Sequence, residues 1–220
     1  HALSSSVRRG GVPGAPPVSW GNPPPPFKRV SGEGVLALPA PLRSADAKAS
    51  PLTALATALW HTSAVTLERG TLALRASPSS GALFATELYL ITRTLPGLPA
   101  GLWHYDARTH ALVPLPAVVN PTLVGVTVSA VGDAAAAVVA TGIFRRTGYK
   151  YRDRAYRYML ADLGHALENL RLASGAAGLP LRFLQGFDED GLAAALGLDA
   201  AEEGVLMLAR VGADDGLPLA

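Results

Sequence analysis

The chain contains no cysteine among its 220 residues. Disulfide frameworks, zinc–thiolate sites, iron–sulfur clusters and thiol nucleophiles all need cysteine, so the sequence excludes each of them. Charged residues are also scarce, at 16%, and the formal net charge of +2 is too small to predict nucleic-acid binding. His61, His104 and His110 have no carboxylate or second histidine at metal-ligand spacing, so we predict no metal site.

Long hydrophobic runs are missing as well. The most apolar stretch, residues 124–143, contains Gly125, Gly132 and Asp133, which argues against a transmembrane helix. The N-terminus lacks a basic region followed by an apolar run, so we expect no signal peptide and a cytoplasmic location. At 49%, hydrophobic residues are abundant enough for one sizeable core.

Proline and glycine are concentrated at the start of the chain. Residues 12–26 are rich in both and end in a run of four prolines, which has to be extended. Trp20 and Phe27 flank that run and would be unusual in a free tail. We therefore predict an N-terminal arm, residues 1–40, before a globular domain, residues 41–220. The arm is either wrapped over the body or a partner subunit, or a flexible linker, and the sequence leaves both interpretations open.

Helical and strand patterns alternate along the rest of the chain without a repeating β-α-β unit, which predicts the α+β class. Ser50 is expected to cap a first helix that begins at Pro51, and Asp188 to cap a short helix that ends near residue 196. The clearest helix, residues 155–177, is predicted to be buried on most sides, and His165 within it to be a core residue. Predicted strands are residues 83–92, 102–115 (a hairpin), 123–131, 181–184 and 204–211, while residues 134–144 fit either state.

Two turns have the composition of ligand-binding loops. The first contains Pro78, Ser79, Ser80 and Gly81, and a glycine flanked by hydroxyls lets a flat ligand approach the backbone N–H groups. It has neither the Walker-loop spacing nor the GxGxxG fingerprint, and alone it is equally compatible with an ordinary turn. The second turn, at Gln185 and Gly186, could present a glycine N–H to a ring nitrogen, or it is an ordinary strand-to-helix turn.

Lys150 and Tyr151 form the candidate catalytic pair within a block of basic and phenolic residues, 144–158. A lysine among cations can act as a base, and a phenol next to cations is expected to ionise more easily. The alternative is a solvated basic loop in front of a helix. Ser79 and Ser80 lack a Ser-His-Asp arrangement, so hydrolysis is not predicted.

Five blocks in this order resemble the SagB-type dehydrogenases, FMN-dependent members of the nitroreductase superfamily. The blocks are residues 4–11 with 18–23 and 26–28; 78–83 with 87–89; 101–106; 149–158 with 162–165 and 168–169; and 186–188 with 196–206. Members of that family oxidise thiazoline or oxazoline rings of ribosomally made peptides to thiazoles or oxazoles. The resemblance implies a nitroreductase-like fold with a central mixed or antiparallel sheet flanked by helices. It also implies FMN as cofactor, a precursor peptide as substrate, a cyclodehydratase as possible partner enzyme, and a homodimer that shares the flavin pocket.

The resemblance also implies residue roles. Lys150 and Tyr151 would remove a ring proton while a hydride passes to flavin N5, and Gly186 would donate to the N5/O4 edge of the flavin. The full implied cofactor-binding set is Arg43, Ser44, Pro78, Ser79, Ser80, Gly81, Arg154, Gln185 and Gly186.

The phosphate-binding motif departs from the family pattern. Relatives place Arg-Arg-Ser-x-Arg-x-Phe before the first helix, whereas residues 42–48 have lost the second arginine and the aromatic. Losing one bidentate, charge-assisted contact costs about 2–3 kcal/mol, or roughly a hundredfold in affinity. Three functions therefore remain: an FMN-dependent azoline oxidase, a degenerate member that acts as a peptide-docking or structural subunit, and a general NAD(P)H-dependent nitroreductase.

Overall fold

A computed structural model describes residues 24–43, 49–70 and 72–212. Ser44 and the arm motifs before residue 24 lie outside these ranges. The described elements, in chain order, are β1 (Leu36–Ala37), α1 (Pro51–Ser63), β2 (Val65–Arg69), β3 (Leu72–Arg75), β4 (Thr86–Thr92), β5 (Gly101–Asp106), β6 (Ala111–Pro114), α2 (Pro121–Val131), β7 (Ala136–Ile143), α3 (Phe144–Tyr151), α4 (Ala155–Ala176), β8 (Leu181–Leu184), α5 (Glu189–Ala195) and β9 (Glu203–Val211).

Seven of the strands form one antiparallel sheet in the order β1-β6-β5-β4-β7-β9-β8. The central strand β4 is buried along its whole length, because helices cover both faces of the sheet. Leu88 and Leu90 pack on the side of α1 and α4, whereas Tyr89 and Ile91 pack on the side of α2 and α5. This alternation is the two-residue period of a strand between two cores. The predicted α+β class and antiparallel, helix-flanked sheet are confirmed.

Local capping signals place two of the helices as predicted. The Ser50 hydroxyl accepts a hydrogen bond from the Thr53 amide at 3.1 Å, and Pro51 opens α1. The Asp188 carboxylate accepts from the Gly191 amide at 2.8 Å at the start of α5. Both caps satisfy amides that have no partner inside the helix. None of the helices in the described ranges is both long and apolar enough to cross a membrane.

The strand predicted over residues 123–131 is wrong, because this segment is helix α2. Asn120 caps the helix by accepting from the Thr122 amide at 2.9 Å, and Pro121 occupies its first turn. The β-branched residues that suggested a strand lie mostly on the half-exposed and exposed faces, and only Ala130 and Val131 are buried. The ambiguous segment that follows, residues 134–144, contains strand β7.

Helix α4 is buried along one side only within a single subunit. Tyr156, Leu160 and Leu172 on it are 54%, 40% and 55% exposed, so the prediction of burial on most sides does not hold for the isolated chain. His165 is exposed as well, and its Nδ1 lies 2.8 Å from the Ala161 carbonyl oxygen within the same helix. The prediction that His165 belongs to the core is therefore wrong.

Two buried glutamates are held by polar partners in the middle of the sheet. Glu87 on β4 pairs with Arg146, with Arg75 at 3.5 Å and with His104 Nε2 at 3.0 Å. Burial alone would raise the pKa of Glu87, but the hydrogen bond to His104 and the charges of the two arginines outweigh it and lower the pKa to about 2.

Glu203 on β9 is the second buried glutamate. It contacts Lys28 at 2.5 Å, accepts from the Tyr89 hydroxyl at 2.9 Å, and accepts from Thr141 Oγ1 at 2.5 Å. Burial, and then the charge of Glu203, raise the pKa of Tyr89, so this phenol stays protonated and keeps donating to the carboxylate. Lys28 belongs to the predicted arm, so the described end of that arm is attached to the body.

We predict that Glu87→Gln destabilises the protein by about 3 kcal/mol at pH 7, because it leaves two buried arginines without their counter-charge. Glu87 has a folded pKa near 2, below its ordinary value of 4.5, so its contribution is present above pH 4.5 and is lost as the pH falls towards 2. Urea unfolding between pH 2 and pH 7 should therefore show the difference in unfolding free energy between Glu87→Gln and wild type closing across that window.

Glu68→Gln is the matched control, because Glu68 forms an exposed ion pair with Arg108. This variant should lose less than about 1 kcal/mol of stability. A gap for Glu87→Gln that does not change with pH would contradict the assignment.

Candidate active site

The turn that precedes β4 has an unusual backbone. Gly81, Ala82 and Phe84 adopt left-handed φ values of 65°, 54° and 46°. Only the glycine tolerates this region freely, and each of the other two costs on the order of 1 kcal/mol or more. We call residues 79–84 the serine turn. The Ala82 amide donates to the Ser79 carbonyl at 3.0 Å, and the Phe84 amide donates to the Ser79 hydroxyl at 2.9 Å.

Asp162 on α4 fixes the first half of the serine turn. Its carboxylate accepts from the Ser79 hydroxyl at 2.9 Å, from the Ser80 hydroxyl at 2.8 Å and from the Ser80 amide at 2.8 Å. The residue is buried, so these three bonds supply the donor partners that a buried carboxylate needs. In the sequence, the signal for Asp162 is a lone carboxylate at an inward-facing position of an apolar helix.

Lys150 and Tyr151, at the end of α3, face the glycine of the serine turn. A Cβ built on Gly81 would lie 2.9 Å from Lys150 Nζ and 2.9 Å from Tyr151 Oη. The turn and the pair therefore form one site, although they are distant in the sequence. Glycine at this position lets the amine and the phenol lie directly against the turn, because a Cβ there would collide with both.

The sheet register explains why the serine turn lies beside Lys150 and Tyr151. Thr86 at the start of β4 pairs with Gly142 near the end of β7, so the turn before β4 and the helix after β7 lie at the same end of the sheet. The Ile143 amide donates to the Ala85 carbonyl at 2.9 Å and extends this pairing by one step. Arg152 has a left-handed φ of 47° and ends α3, after which the chain turns into α4.

The surroundings of Tyr151 keep its phenol protonated. Burial is the largest cause that raises its pKa, followed by Tyr158 and Asp162, and the opposing effect of Arg154 is smaller. The expectation that neighbouring cations would ease ionisation is therefore wrong. The Tyr151 and Tyr158 rings meet edge to face at 4.7 Å, and Arg154 lies 5.7 Å above the Tyr158 ring. Lys150 Nζ lies 5.5 Å from the centre of the Tyr151 ring.

Other predicted site residues lie in separate clefts of the single subunit. Arg43 borders a cleft of about 400 Å³ between α1 and the second half of α4, which His61 and Asn169 also line. Gln185 and Gly186 are exposed beyond the end of β8, and Gly186 borders a cleft of about 350 Å³ next to α2 and α5. One subunit thus groups the serine turn with Lys150 and Tyr151, and leaves Arg43 and Gly186 apart from them.

The site contains groups that can move protons and bind a flat ring. Pro78 borders a small pocket of about 10 Å³ between Arg75, Phe84 and Asp162, so a ring would have to lie outside this pocket. The backbone at Gly81 lies against an amine and a phenol, so groups that can transfer protons adjoin a turn of the kind that can lie against a flat ring. Within the described residues no group of three or more histidines and carboxylates could hold a metal ion.

Two curated relatives are named for the processing of trifolitoxin and of microcin B17. The trifolitoxin-processing protein TfxB of Rhizobium leguminosarum is 30% identical over 119 residues, which cover 48% of this chain and 30% of that protein. The microcin B17-processing protein McbC of Escherichia coli is 31% identical over 134 residues, which cover 57% of this chain and 49% of that protein. The chain thus matches half or less of the length of each of these two relatives.

Solved structures show the same fold. A candidate nitroreductase from Anabaena variabilis matches with a TM-score of 0.76 and 25% identity, over 89% of this chain and 42% of that one. The E. coli microcin synthetase McbBCD complex with truncated pro-MccB17 bound contains a chain that matches with a TM-score of 0.64 and 24% identity. That match covers 81% of this chain and 69% of the other. A family model described as the nitroreductase family matches residues 43–213. Since this range is most of the sequence, the chain belongs to the nitroreductase family.

Proposed function

We propose that this chain is an FMN-dependent oxidoreductase of the SagB type, which oxidises thiazolines or oxazolines in a ribosomally made peptide to thiazoles or oxazoles. The observation that carries the proposal is the position of Gly81 opposite Lys150 Nζ and Tyr151 Oη, 2.9 Å from each for a built Cβ. The similarity to TfxB and McbC, both named for processing peptides, supports this substrate class.

The proposed reaction removes one proton and one hydride from neighbouring carbons of the azoline ring. FMN, when bound, would accept the hydride at N5, and dioxygen would then reoxidise it. The carbon next to the peptide carbonyl loses the proton, because the carbonyl stabilises the resulting charge. A base placed next to that carbon is therefore the main requirement on the protein.

The two side chains of the pair have different tasks in this proposal. The raised pKa of Tyr151 keeps its hydroxyl protonated near neutral pH, so Tyr151 is the hydrogen-bond donor that orients the ring. Lys150, whose amine also lies against Gly81, is assigned the task of receiving the ring proton.

The remaining cofactor contacts are proposed from the same set of residues. The backbone of Ser79, Ser80 and Gly81 would lie against the flavin ring. Arg43, beside a cleft large enough for a phosphate, would hold the phosphate group with Ser44, and Arg154 would add positive charge. Gln185 and Gly186, which lie apart from the serine turn within one copy of the chain, would meet the N5/O4 edge of the flavin from the second copy.

The proposed assembly contains a precursor peptide, a second copy of the chain, and a cyclodehydratase that makes the azolines. The McbBCD complex, which has a truncated precursor bound, supports the first and third partners. Exposed apolar side chains on α4, including Leu160 and Leu172, support a homodimer, because such side chains are stabilised by burial.

The first prediction concerns the whole proposal. Purified protein mixed with FMN and desalted should retain flavin bands near ~450 nm. Incubated in air with an azoline-containing peptide, it should remove two hydrogen atoms per ring, as measured by mass spectrometry. A colourless protein that still binds the precursor peptide would favour the docking-subunit function. A yellow protein that oxidises NAD(P)H with a nitroarene, and leaves azolines unchanged, would favour a general nitroreductase.

The second prediction concerns the phenol. Tyr151→Phe should lower kcat by about a hundredfold or more, because it removes the hydrogen-bond donor but keeps the aromatic contact with Tyr158. The flavin bands should persist, since the ring and its packing remain. Steady-state kinetics and the absorption spectrum of the same sample measure both effects. Full activity in this variant would remove Tyr151 from the mechanism.

The third prediction concerns the contact of Gly81 with Lys150 and Tyr151. Gly81→Ala should lower kcat at least about tenfold, because the added methyl group would displace the Lys150 amine and the Tyr151 hydroxyl. Gly178→Ala is the matched control, since Gly178 has a φ of 66° against 65° for Gly81 and has nothing within 4 Å of a built Cβ. Both variants should therefore lose about 1 kcal/mol of stability, and only the first should lose turnover. Equal activity in the two variants would contradict the proposed site.

A further inference from the structure

Arg146 connects α3 to three other parts of the molecule. Its Nε donates to the Pro25 carbonyl at 3.1 Å, and its Nη1 donates to the Phe84 carbonyl at 2.9 Å and also pairs with Glu87. The residue is 2% exposed, so these contacts are made away from water. A planar guanidinium can donate in several fixed directions at once, which a lysine ammonium on a flexible chain cannot reproduce.

The Phe84 carbonyl belongs to the strained end of the serine turn. Backbone conformations of this kind persist only where the surrounding structure holds them in place. Asp162 holds the first end through Ser79 and Ser80, and Arg146 holds the second end through Phe84. The two side chains come from different helices, so the turn is fixed from both sides.

Arg146 also stands one helical turn before Lys150, so both side chains project from the same face of α3. We infer that Arg146 is a positioning residue, which holds α3 against the serine turn and thereby sets the distance from Lys150 and Tyr151 to Gly81. The inference rests on the proposed function for its catalytic consequence, but the mechanical link itself does not depend on the reaction.

Arg75 provides a comparison that distinguishes the positioning role of Arg146 from simple neutralisation of Glu87. It is as buried as Arg146, lies 3.5 Å from Glu87, and donates to the Thr86 carbonyl and the Ser63 hydroxyl, at 3.1 Å each. It also donates to the arm, at the Pro26 carbonyl. Its hydrogen bonds within the described residues therefore reach the same carboxylate and the same arm, but not α3.

The experiment compares Arg146→Lys with Arg75→Lys in the full chain. Both variants keep a positive charge next to Glu87 and should lose similar stability in urea unfolding. Amide hydrogen exchange of the cofactor-free protein should accelerate about tenfold or more in residues 144–151 for Arg146→Lys only, whereas Arg75 itself contacts the Thr86 carbonyl and the Phe84 ring. With FMN and azoline peptide, Arg146→Lys should lower kcat about tenfold or more with little change in KM, whereas Arg75→Lys should not.

Hydrogen exchange tests the positioning role of Arg146, and azoline oxidation tests the proposed function, so either can fail without the other. Exchange as expected, in a protein that oxidises no azoline, would keep the positioning role and overturn the reaction. Azoline oxidation with equal exchange and equal kcat in the two variants would keep the reaction and overturn the positioning role.

A wild-type measurement covers the case in which Arg146→Lys does not fold. In native-state exchange at low urea concentrations, the amides of the serine turn and of α3 should open with the same free energy, because one side chain joins them. Independent opening of the two segments would overturn the inference.

Discussion

Glu87 imposes the strongest constraint on this molecule. An ionised carboxylate on the central strand of a sheet covered on both faces needs charged partners and hydrogen bonds, because burying it alone costs several kcal/mol. Arg75, Arg146 and His104 meet that requirement. The two arginines have donors left over, and these reach the carbonyls of the arm and of the serine turn. The arginines that neutralise Glu87 thus also hold the arm and the serine turn in place.

The position of the site follows from sheet topology. In an antiparallel pair the start of one strand lies beside the end of its neighbour, so the turn before β4 must meet the helix after β7. Strand β9 joins at the same end, where Glu203 pairs with Ile143 and accepts from Lys28. A shift of one residue in the β4–β7 register would move every core side chain of these strands to the opposite face. The two cores that hold this register therefore also fix the distance between Gly81 and the pair on α3.

Features encoded by short stretches of sequence could be predicted. Ser50 with Pro51, Asp188, the long helix α4 and the strand β8 all follow from local capping or periodicity. Helix α2 could not be told from a strand, because its β-branched residues favour a strand and its amphipathic pattern is weak. The family and its fold were predicted from the resemblance of several blocks in the same order. No single motif among them would have been specific enough.

What the sequence did not reveal depends on contacts between distant segments. The hydrogen bonds from Ser79 and Ser80 to Asp162 join α4 to a turn that lies some eighty positions earlier in the sequence. Likewise, neighbouring arginines in the sequence suggested an easily ionised Tyr151. In the structure, burial and the nearby Tyr158 and Asp162 outweigh the one arginine that opposes them.

Lys150 and Tyr151 have different tasks in the proposed reaction. Removing a proton from carbon requires one group that can accept it and another that holds the ring in place. Tyr151 is packed edge to face against Tyr158, and its hydroxyl lies against the backbone of Gly81. The proposed donor and the proposed acceptor are adjacent in sequence, and the end of α3 places both of them beside the residue in the serine turn that has no side chain.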